Sequence, residues 1–509
     1  MVEVVDTLKR EATRGKAGDA QPQQEKQKSS LYAARKKVYP QSISGHFRRL
    51  KWTLAVVFMG IYFILPWIRW DRGPGAPDQA VLVDLLHRRF YFFFIEIWPQ
   101  EFYYVAGLLI LAGIGLFIAT SMVGRAWCGY ACWQTVWTDL FMWVERKIEG
   151  DRNAQMKLDK QPWNAQKITK RGLKFLVWAL IAFWTGFTFT LYFGNAPDVA
   201  YWFFTGQAPF VAYSTVAIMG FVTFLFAGVM REQVCIYMCP WPRIQGAMVD
   251  EDTLIVTYHD WRGEPRGSKR DRKKHPEIEF GDCIDCGKCV HVCPTGIDIR
   301  DGQQLACITC ALCIDACNSV MEKIGKPQGL ISYSSVKAYN DLAAGKMKQA
   351  EFGWRNFIRP RTIVYLTIWT LIAGLLLVHL ATRDRLQINV IHDRNPMFVR
   401  LSTGEIRNAY TVRVLNMQLE PRQFRIRMEG LEGGKMHILG IDKPPARKFT
   451  FTVKGNKARA LRVFVMVPHD KIKAQREKFT FVIEALDKSG KVTETASNGA
   501  VFEAPAPRR

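Results

Sequence analysis

The stretch Cys283–Cys317, CIDCGKCVHVCPTGIDIRDGQQLACITCALCIDAC, holds eight of the twelve cysteines of the chain. They form two C-x2-C-x2-C-x3-C runs, and each cysteine of the second run lies 24 residues after its counterpart in the first. In two-cluster ferredoxins, three closely spaced thiolates hold one iron–sulfur cube and the fourth holds the other cube. The spacing therefore predicts two [4Fe–4S] clusters. The expected ligands are Cys283, Cys286, Cys289 and Cys317 for one cluster, and Cys307, Cys310, Cys313 and Cys293 for the other.

Structural zinc is the alternative for this stretch, because C-x2-C spacing also occurs in zinc sites. Zinc ribbons do not require eight cysteines in two identical quartets with the third gap one residue longer. The double quartet therefore favours iron–sulfur clusters over zinc.

The formal net charge of +24 raises the question of nucleic-acid binding. The chain contains no helix-turn-helix, RNA-binding or zinc-finger motif, and excess Lys and Arg is also typical of the cytoplasmic loops of membrane proteins. All twelve cysteines lie between Cys128 and Cys317. Cluster ligands must remain thiolates, so this middle region is expected in a reducing compartment.

Five apolar segments are long enough to cross a bilayer, which takes about 20 helical residues. The predicted spans are Trp52–Trp70, Phe102–Val123, Leu173–Phe193, Ala212–Met230 and Thr362–Thr382. The run FYFFFIEIW (Phe90–Trp98) is too short to span and carries Glu96, so it is expected to lie in the membrane interface or to enter partway.

Lys and Arg counts between the spans predict the topology, because cytoplasmic loops carry the excess. Residues 1–51 hold 12 Lys and Arg, residues 124–172 hold 9 and residues 231–361 hold 19. Residues 71–101 hold 3 and residues 194–211 hold none. The N-terminus and the ferredoxin stretch are therefore expected in the cytoplasm, and the segment after the fifth span on the opposite side.

The predicted fold is a multi-domain membrane protein: a five-span α-helical bundle, an inserted α+β ferredoxin-like domain and a C-terminal immunoglobulin-like sandwich. Short alternating runs such as NAYTVRVLN and KFTFVIEAL, separated by Gly-containing turns, indicate the sandwich. The expected domains are a disordered to interfacial basic region (1–51), a four-span domain (52–250), the ferredoxin-like domain (251–345), the fifth span with its flanks (346–385) and the sandwich (386–509).

A second group of cysteines follows the second and fourth spans. Cys128 and Cys132 in RAWCGYACW, and Cys235 and Cys239 in REQVCIYMC, share the pattern C-x-Tyr-x-C. Residues i and i+4 of a helix lie on one face, so each pair is expected to present two thiols side by side at the membrane edge. Four sulfur ligands suit Cu(I), zinc or a further iron–sulfur cluster. Small packing cysteines at helix ends are the simpler interpretation.

Taken together, these motifs resemble the cytochrome c oxidase accessory protein family of the CcoG/FixG type. The resemblance is carried by KVYPQSISGHFRRLKW, GRAWCGYACWQTVWTDLF, REQVCIYMCPWPRIQGAM, the double ferredoxin run, the fifth span and the sandwich. Two positions depart from the pattern. Trp133 follows the first membrane-edge pair where Pro is expected, and the second quartet ends Cys317-Asn318 rather than Cys-Pro.

The resemblance implies a bacterial inner-membrane polyferredoxin that reduces Cu(II) to Cu(I) and assists assembly of a cbb-type oxidase, with that oxidase or its copper chaperones as partners. On this hypothesis Cys128, Cys132, Cys235 and Cys239 contact copper and the eight ferredoxin cysteines hold the electron carriers. The sandwich is then expected in the periplasm, and a further expected partner is an electron donor of unknown identity. The alternatives are a quinol-linked electron-transfer subunit and a non-catalytic assembly scaffold.

Overall fold

The computed structural model describes residues 37–73, 76–346, 358–418, 420–487 and 489–505. The chain divides into the units Met1–Tyr39 and Pro40–Arg509. In the first unit only residues 37–39 are described, and there the Lys37 ammonium lies 4.7 Å from the centre of the Tyr39 ring. The disorder predicted for the N-terminal tail concerns residues outside the described ranges. The same holds for residues 347–357 of the predicted 346–385 segment.

Among the described residues, five helices are long and apolar enough to cross a membrane, which confirms the predicted number of spans. They cover His46–Trp67, Pro99–Val123, Ala165–Leu191, Phe210–Met230 and Pro360–Ala381. The helices before the ferredoxin region are α1 (His46–Ile64), α2 (Tyr103–Val123), α3 (Ala126–Tyr130), α4 (Trp133–Glu149), α5 (Arg152–Lys160), α6 (Ala165–Leu191), α7 (Ala196–Phe204) and α8 (Phe210–Thr223). Short 3-10 turns at Leu65–Trp67 and Pro99–Glu101 flank α1 and α2, and π-helical turns at Phe224–Met230 and Val234–Met238 follow α8.

The run Phe90–Trp98 forms part of a small β-sheet, a structure that sequence analysis did not predict. Strands β1 (Val81–Asp84), β2 (Arg89–Phe92) and β3 (Ile95–Ile97) pair antiparallel in chain order. Phe90, Tyr91 and Phe92 of this run lie on β2, where aromatic residues are common, and Phe93 and Phe94 form the turn to β3.

Buried charges connect α4 to α6 and to the end of the fourth span. The Lys174 ammonium lies 3.3 Å from a Glu145 carboxylate oxygen and 2.9 Å from one of Glu149. The other Glu145 oxygen lies 2.8 Å from the Arg231 guanidinium. Lys174 belongs to a candidate span and is 2 % exposed, so these partners are what allow a cation at that depth.

The ferredoxin region combines short helices with one two-stranded sheet. Its helices are α9 (Trp241–Gly246), α10 (Asp260–Gly263), α11 (Lys269–Lys274), α12 (Lys288–His291), α13 (Leu312–Lys323) and α14 (Val336–Ala343), with a 3-10 turn at Ile299–Asp301. Strands β4 (Ile255–Tyr258) and β5 (Ile331–Ser334) pair antiparallel. The pairing joins the segment before the two cysteine runs to the segment after them.

The first span is anchored on this region. The Asp315 carboxylate of α13 accepts hydrogen bonds from the backbone N–H groups of Phe47 (3.3 Å) and Arg48 (2.8 Å). These amides belong to the first turn of α1, whose N–H groups have no partner within the helix. A Cβ at Gly45 would lie 2.2 Å from the Asp315 side chain, so only glycine permits this approach.

The fifth span, α15 (Pro360–Ala381), leads into an antiparallel β-sandwich, as predicted. The strands are β6 (Leu386–His392), β7 (Val399–Arg400), β8 (Ile406–Asn416), β9 (Arg422–Glu429), β10 (Lys435–Ile438), β11 (Lys448–Val453), β12 (Lys457–Val467), β13 (Arg476–Leu486) and β14 (Val492–Glu503), with a 3-10 turn at His469–Lys471. One sheet has the order β10-β12-β8-β6, with β7 also paired to β8, and the other has the order β11-β9-β13-β14. Fully buried aromatic residues, among them Tyr410, Phe424 and Phe481, fill the space between the sheets.

Two arginines join the sandwich and the fifth span to the segment between the first two spans. Arg89 on β2 donates to the side-chain oxygen (2.8 Å) and to the backbone carbonyl (3.0 Å) of Asn456. Arg383, just after α15, donates to the Glu96 carbonyl (2.9 Å) and pairs with Glu101 (3.2 Å). These contacts hold the sandwich against the β1–β3 sheet.

Candidate metal centre

The two cysteine runs fold into loops of the same backbone shape. Asp285 and Thr309, each two residues after the first cysteine of its run, both have positive φ (49° and 55°). Gly287 and Ala311, each following the second cysteine, have φ values of 63° and 59°. This left-handed conformation costs a residue with a side chain about 1 kcal/mol or more, so its repetition at equivalent positions indicates a shared requirement of the two loops.

The eight thiols surround two neighbouring cavities. The first is lined by Cys283, Cys286, Cys289 and Cys317. The second is lined by Cys293, Cys307, Cys310 and Cys313, with Cys289 between the two. The two cavities are equally small, about 20 Å³ each, and their exposed walls are mostly apolar. Two spaces of equal size with four thiols each fit two groups of the same kind, as [4Fe–4S] clusters would be. The assignment of each cysteine as a ligand stays a prediction.

Burial makes these thiols costly to ionise without a bound cationic group. It raises the pKa of Cys289 to about 11 and, together with the thiols of Cys289 and Cys283, that of Cys317 to about 12. A metal group replaces the thiol protons and removes this penalty. Backbone N–H groups also point at sulfur, as in the 3.4 Å contact from Thr309 to Cys307.

Asn318, where the ferredoxin-type pattern led us to expect proline, lies inside α13, which continues to Lys323. A proline there would remove a helical hydrogen bond and clash with the preceding turn. The Asn318 side-chain oxygen instead accepts from the Gly329 N–H at 2.9 Å, which fixes the chain after the helix. Trp133, the other departure, begins α4 and stacks on Trp137 with ring centres 3.9 Å apart.

The membrane-edge cysteines do not lie on continuous helices, so the expected one-face arrangement is wrong. Cys128 is in the five-residue helix α3, while Cys132 has an extended backbone and precedes α4. Cys235 lies in the second π-helical turn, and Cys239 is extended where that turn ends. Each pair therefore spans a break in the helix, because the second cysteine of each starts a new direction of the chain.

The four membrane-edge thiols nevertheless share one neighbourhood. Burial, followed by the charges of Cys132, Cys128 and Cys239, raises the pKa of Cys235 to about 12. Burial also raises the pKa of Cys128, which Cys132 and Cys239 raise further and Arg125 lowers. Cys128 is buried and Cys239 exposed, so the group runs from the interior to the surface.

The Cys128 segment is in direct contact with the second ferredoxin quartet. A Cβ on Gly129 would lie 2.6 Å from the Ile308 carbonyl oxygen and 3.0 Å from the Cys310 Cα. The Tyr130 hydroxyl donates to the Cys310 carbonyl (3.1 Å) and the Arg125 guanidinium to the Cys307 carbonyl (2.9 Å). The two cysteine groups are thus separated by little more than one layer of backbone.

Gln245 is a site residue that sequence analysis missed. Its side chain is fully buried, with its oxygen 3.2 Å from the Cys128 sulfur and its nitrogen 3.1 Å from the Thr120 hydroxyl. A polar residue six positions after the last C-x3-C cysteine carries no recognisable signal. Within the described ranges, no three His, Cys, Asp or Glu side chains are placed to hold a single metal ion.

Three family models match the chain. A 4Fe-4S dicluster domain matches residues 230–336, a 4Fe-4S binding domain matches residues 105–150, and an Ig-like fold at the C-terminal of FixG matches residues 376–505. The second match contains Cys128 and Cys132, and the first contains Cys235 and Cys239 in addition to the eight ferredoxin cysteines.

Whole-chain relatives agree with these matches. Nitrogen fixation protein FixG of Rhizobium meliloti is 50% identical over 475 residues, which cover 89% of this chain and 91% of the relative. Protein RdxA of Cereibacter sphaeroides is 52% identical over 427 residues, covering 83% and 89%. The crystal structure of a FixG-related protein from Vibrio parahaemolyticus aligns at 22% identity and a TM-score of 0.20, covering 24% of this chain and 98% of that one.

Proposed function

Because the chain belongs to the FixG family of membrane-bound iron–sulfur proteins, we propose that it reduces Cu(II) to Cu(I) at Cys128, Cys132, Cys235 and Cys239. The Cu(I) would be passed to a cbb-type cytochrome c oxidase or its copper chaperones. Iron–sulfur electron transfer is the general function of this family. Copper as the electron acceptor is the specific part of the proposal.

The contact of Gly129 and Tyr130 with the Ile308–Cys310 loop is the observation that carries the proposal. It brings a group of soft ligands next to a quartet suited to an electron carrier. When bound and reduced, two [4Fe–4S] clusters supply one electron each. Each Cu(II) takes up one electron and becomes Cu(I).

The thiols favour the reduced product, because sulfur ligands prefer Cu(I) to Cu(II). Cys239 is exposed and would meet the incoming ion first. Cys128 is buried and lies at the end of the group nearest the ferredoxin loop. Gln245 fixes the position of the Cys128 sulfur through its bonds to Cys128 and Thr120.

The test uses anaerobically purified full-length protein, reduced with dithionite and freed of excess reductant. Cu(II) is added, Cu(I) is trapped by a colorimetric chelator, and the wild type is compared with Cys239→Ser and Cys128→Ser. We expect both variants to keep their ferredoxin clusters and to lose most of the copper reduction. Rates equal to that of the wild type would remove these thiols from the mechanism.

A third iron–sulfur cluster is the second candidate for the membrane-edge thiols, because a 4Fe-4S binding domain model covers Cys128 and Cys132. Two clusters account for about eight irons per chain and a third for about twelve. Iron analysis of the wild type and the Cys128→Ser variant decides between them. A loss of about four irons in the variant would establish the cluster.

We also propose that the membrane is the bacterial inner membrane, with the ferredoxin region cytoplasmic and the sandwich periplasmic. The support is the Lys and Arg distribution between the spans. Alkaline phosphatase fused after Pro505 should be active if the sandwich is periplasmic, and the same fusion after Ala343 should be inactive. The reverse result would invert the topology.

A further inference from the structure

A cavity of about 500 Å³ lies where the first span meets the ferredoxin region. One wall is a face of α1 and the preceding segment, with Arg48, Arg49 and Trp52. The opposite wall is a face of α4, and the ferredoxin residues Val292, Pro294 and Leu312 form the floor. The proposed function makes no use of this space.

The upper walls carry an excess of positive charge. Arg48, Arg49 and Arg146 line the cavity, whereas Asp139 is its only acidic lining residue. Asp139 is already bound to Arg48 (3.1 Å) and to Lys51 behind it (3.0 Å). Near the rim, the Asp151 carboxylate accepts the hydrogen bonds of the Ser42 backbone and hydroxyl. Counting the lining side chains alone, three arginines against one carboxylate give a net charge of +2, which favours an anionic occupant.

Aromatic residues lie directly beside these cations, and the Arg48 guanidinium is 5.0 Å from the centre of the Trp52 ring. Trp52 on α1 and Trp143 on α4 meet edge to face with ring centres 6.3 Å apart, beside Met142. Trp52 lies within the first candidate span, and tryptophans of this kind sit at the level of lipid headgroups. An occupant therefore needs an anionic head and a tail that continues into the bilayer.

We propose that this cavity binds the headgroup of an anionic glycerophospholipid, with the phosphate among Arg48, Arg49 and Arg146 and the acyl chains leaving past Trp52 and Trp143. Arg48 is 8 % exposed, so its guanidinium is fixed in place to receive a phosphate oxygen. Arginine is suited to this role because its planar donors match phosphate geometry.

A quinol is the other membrane amphiphile of suitable size, and the cavity suits it less. Quinol oxidation releases two protons, and the wall offers one carboxylate as acceptor. Burial by itself would raise the pKa of Asp139, but Lys51 and Arg48 hold it below its usual range, which makes it a poor base. A quinol ring is also neutral, so it would not balance the positive charge of the arginines.

The bound lipid would hold the ferredoxin region on the membrane surface. Val292 and Pro294 flank Cys293, and Leu312 precedes Cys313, so the floor of the cavity is the backbone beside two thiols of the second quartet. The lipid would therefore add to the protein contacts that keep this quartet next to the membrane-edge thiols.

The experiment is native mass spectrometry of the full-length, cluster-containing protein after delipidation in a mild detergent. Separate samples receive dioleoylphosphatidylglycerol, dioleoylphosphatidylcholine, inorganic phosphate or decylubiquinol. The variant Arg49→Gln/Arg146→Gln is compared with Lys157→Gln/Lys160→Gln, which removes the same charge from residues of α5 outside the cavity. The single Arg49→Gln variant, at an exposed position, serves if the double variant loses its clusters.

We expect one phosphatidylglycerol to be retained by the wild type in preference to phosphatidylcholine. A cation near a membrane surface contributes about 1 kcal/mol, or a factor of about five in affinity, so the double cavity variant should bind about 25-fold more weakly. The α5 variant should match the wild type. Equal retention by both double variants, binding of free phosphate without preference for the lipid, or selective retention of decylubiquinol would each overturn the proposal.

Discussion

Replacing Gly129 with alanine tests whether the Cys128 segment must touch the second ferredoxin quartet. The added Cβ would lie 2.6 Å from the Ile308 carbonyl oxygen, about 0.8 Å short of the 3.4 Å at which ordinary contact begins. The Cys310 backbone lies at 3.0 and 3.1 Å, so the obstacle is main chain and no side chain can rotate away. Overpacking of this kind costs about 1–3 kcal/mol. The segment must also move away from Cys310, which should slow the reduction of copper.

The control is Gly60→Ala in the first span, where the new methyl group meets nothing within 4 Å. Alanine is preferred to glycine in a helix by about 0.5–1 kcal/mol, so this variant should be as stable as the wild type or slightly more so. Thermal unfolding of both variants is monitored through the loss of cluster absorbance. Stopped-flow reoxidation of the reduced protein by Cu(II) gives the rate. If Gly129→Ala matched Gly60→Ala in midpoint and in rate, the contact would not be part of the electron path.

Three further substitutions test the supports of the site. Asn318→Pro should cost about 3 kcal/mol or more by breaking α13, and iron analysis should show loss of clusters, whereas Asn318→Ala should keep them. Asp315→Ala removes the cap of α1 and should lower stability by about 1–2 kcal/mol, seen as faster proteolysis near residue 45; unchanged proteolysis would mean that the cap is dispensable. Glu145→Gln leaves Arg231 buried without the Glu145 carboxylate and leaves Lys174 with Glu149 alone, which should cost about 3–5 kcal/mol. The loss is measured as a lower unfolding midpoint than in Glu429→Gln on the sandwich surface.

Sequence alone predicted the features that depend on local pattern. Apolar length identified the five spans, alternation identified the sandwich, and cysteine spacing identified the ferredoxin region. Each of these signals is repeated many times within a short segment. The repeat was strong enough that Asn318, in place of proline, did not change the interpretation.

Features that depend on contacts between distant segments could not be predicted. The spacing of Cys128 and Cys132 suggested one helix face, but α3 ends at Tyr130, which contacts the distant Cys310, and Cys132 lies in the break before α4. The aromatic run at Phe90–Trp98 is a strand pair because it closes a sheet with Val81–Asp84. The buried position of Gln245 likewise depends on Thr120, more than a hundred residues earlier.

The cap of the first span by Asp315 bears on how the protein is made. Phe47 is synthesised 268 residues before Asp315, so the span enters the membrane with the first turn of its helix lacking this partner. The cap forms only after α13, which also carries Cys313 and Cys317, has folded. The first membrane span is therefore capped only after the cysteine-bearing domain has folded. Until α13 has folded, the amides in the first turn of α1 lack this acceptor.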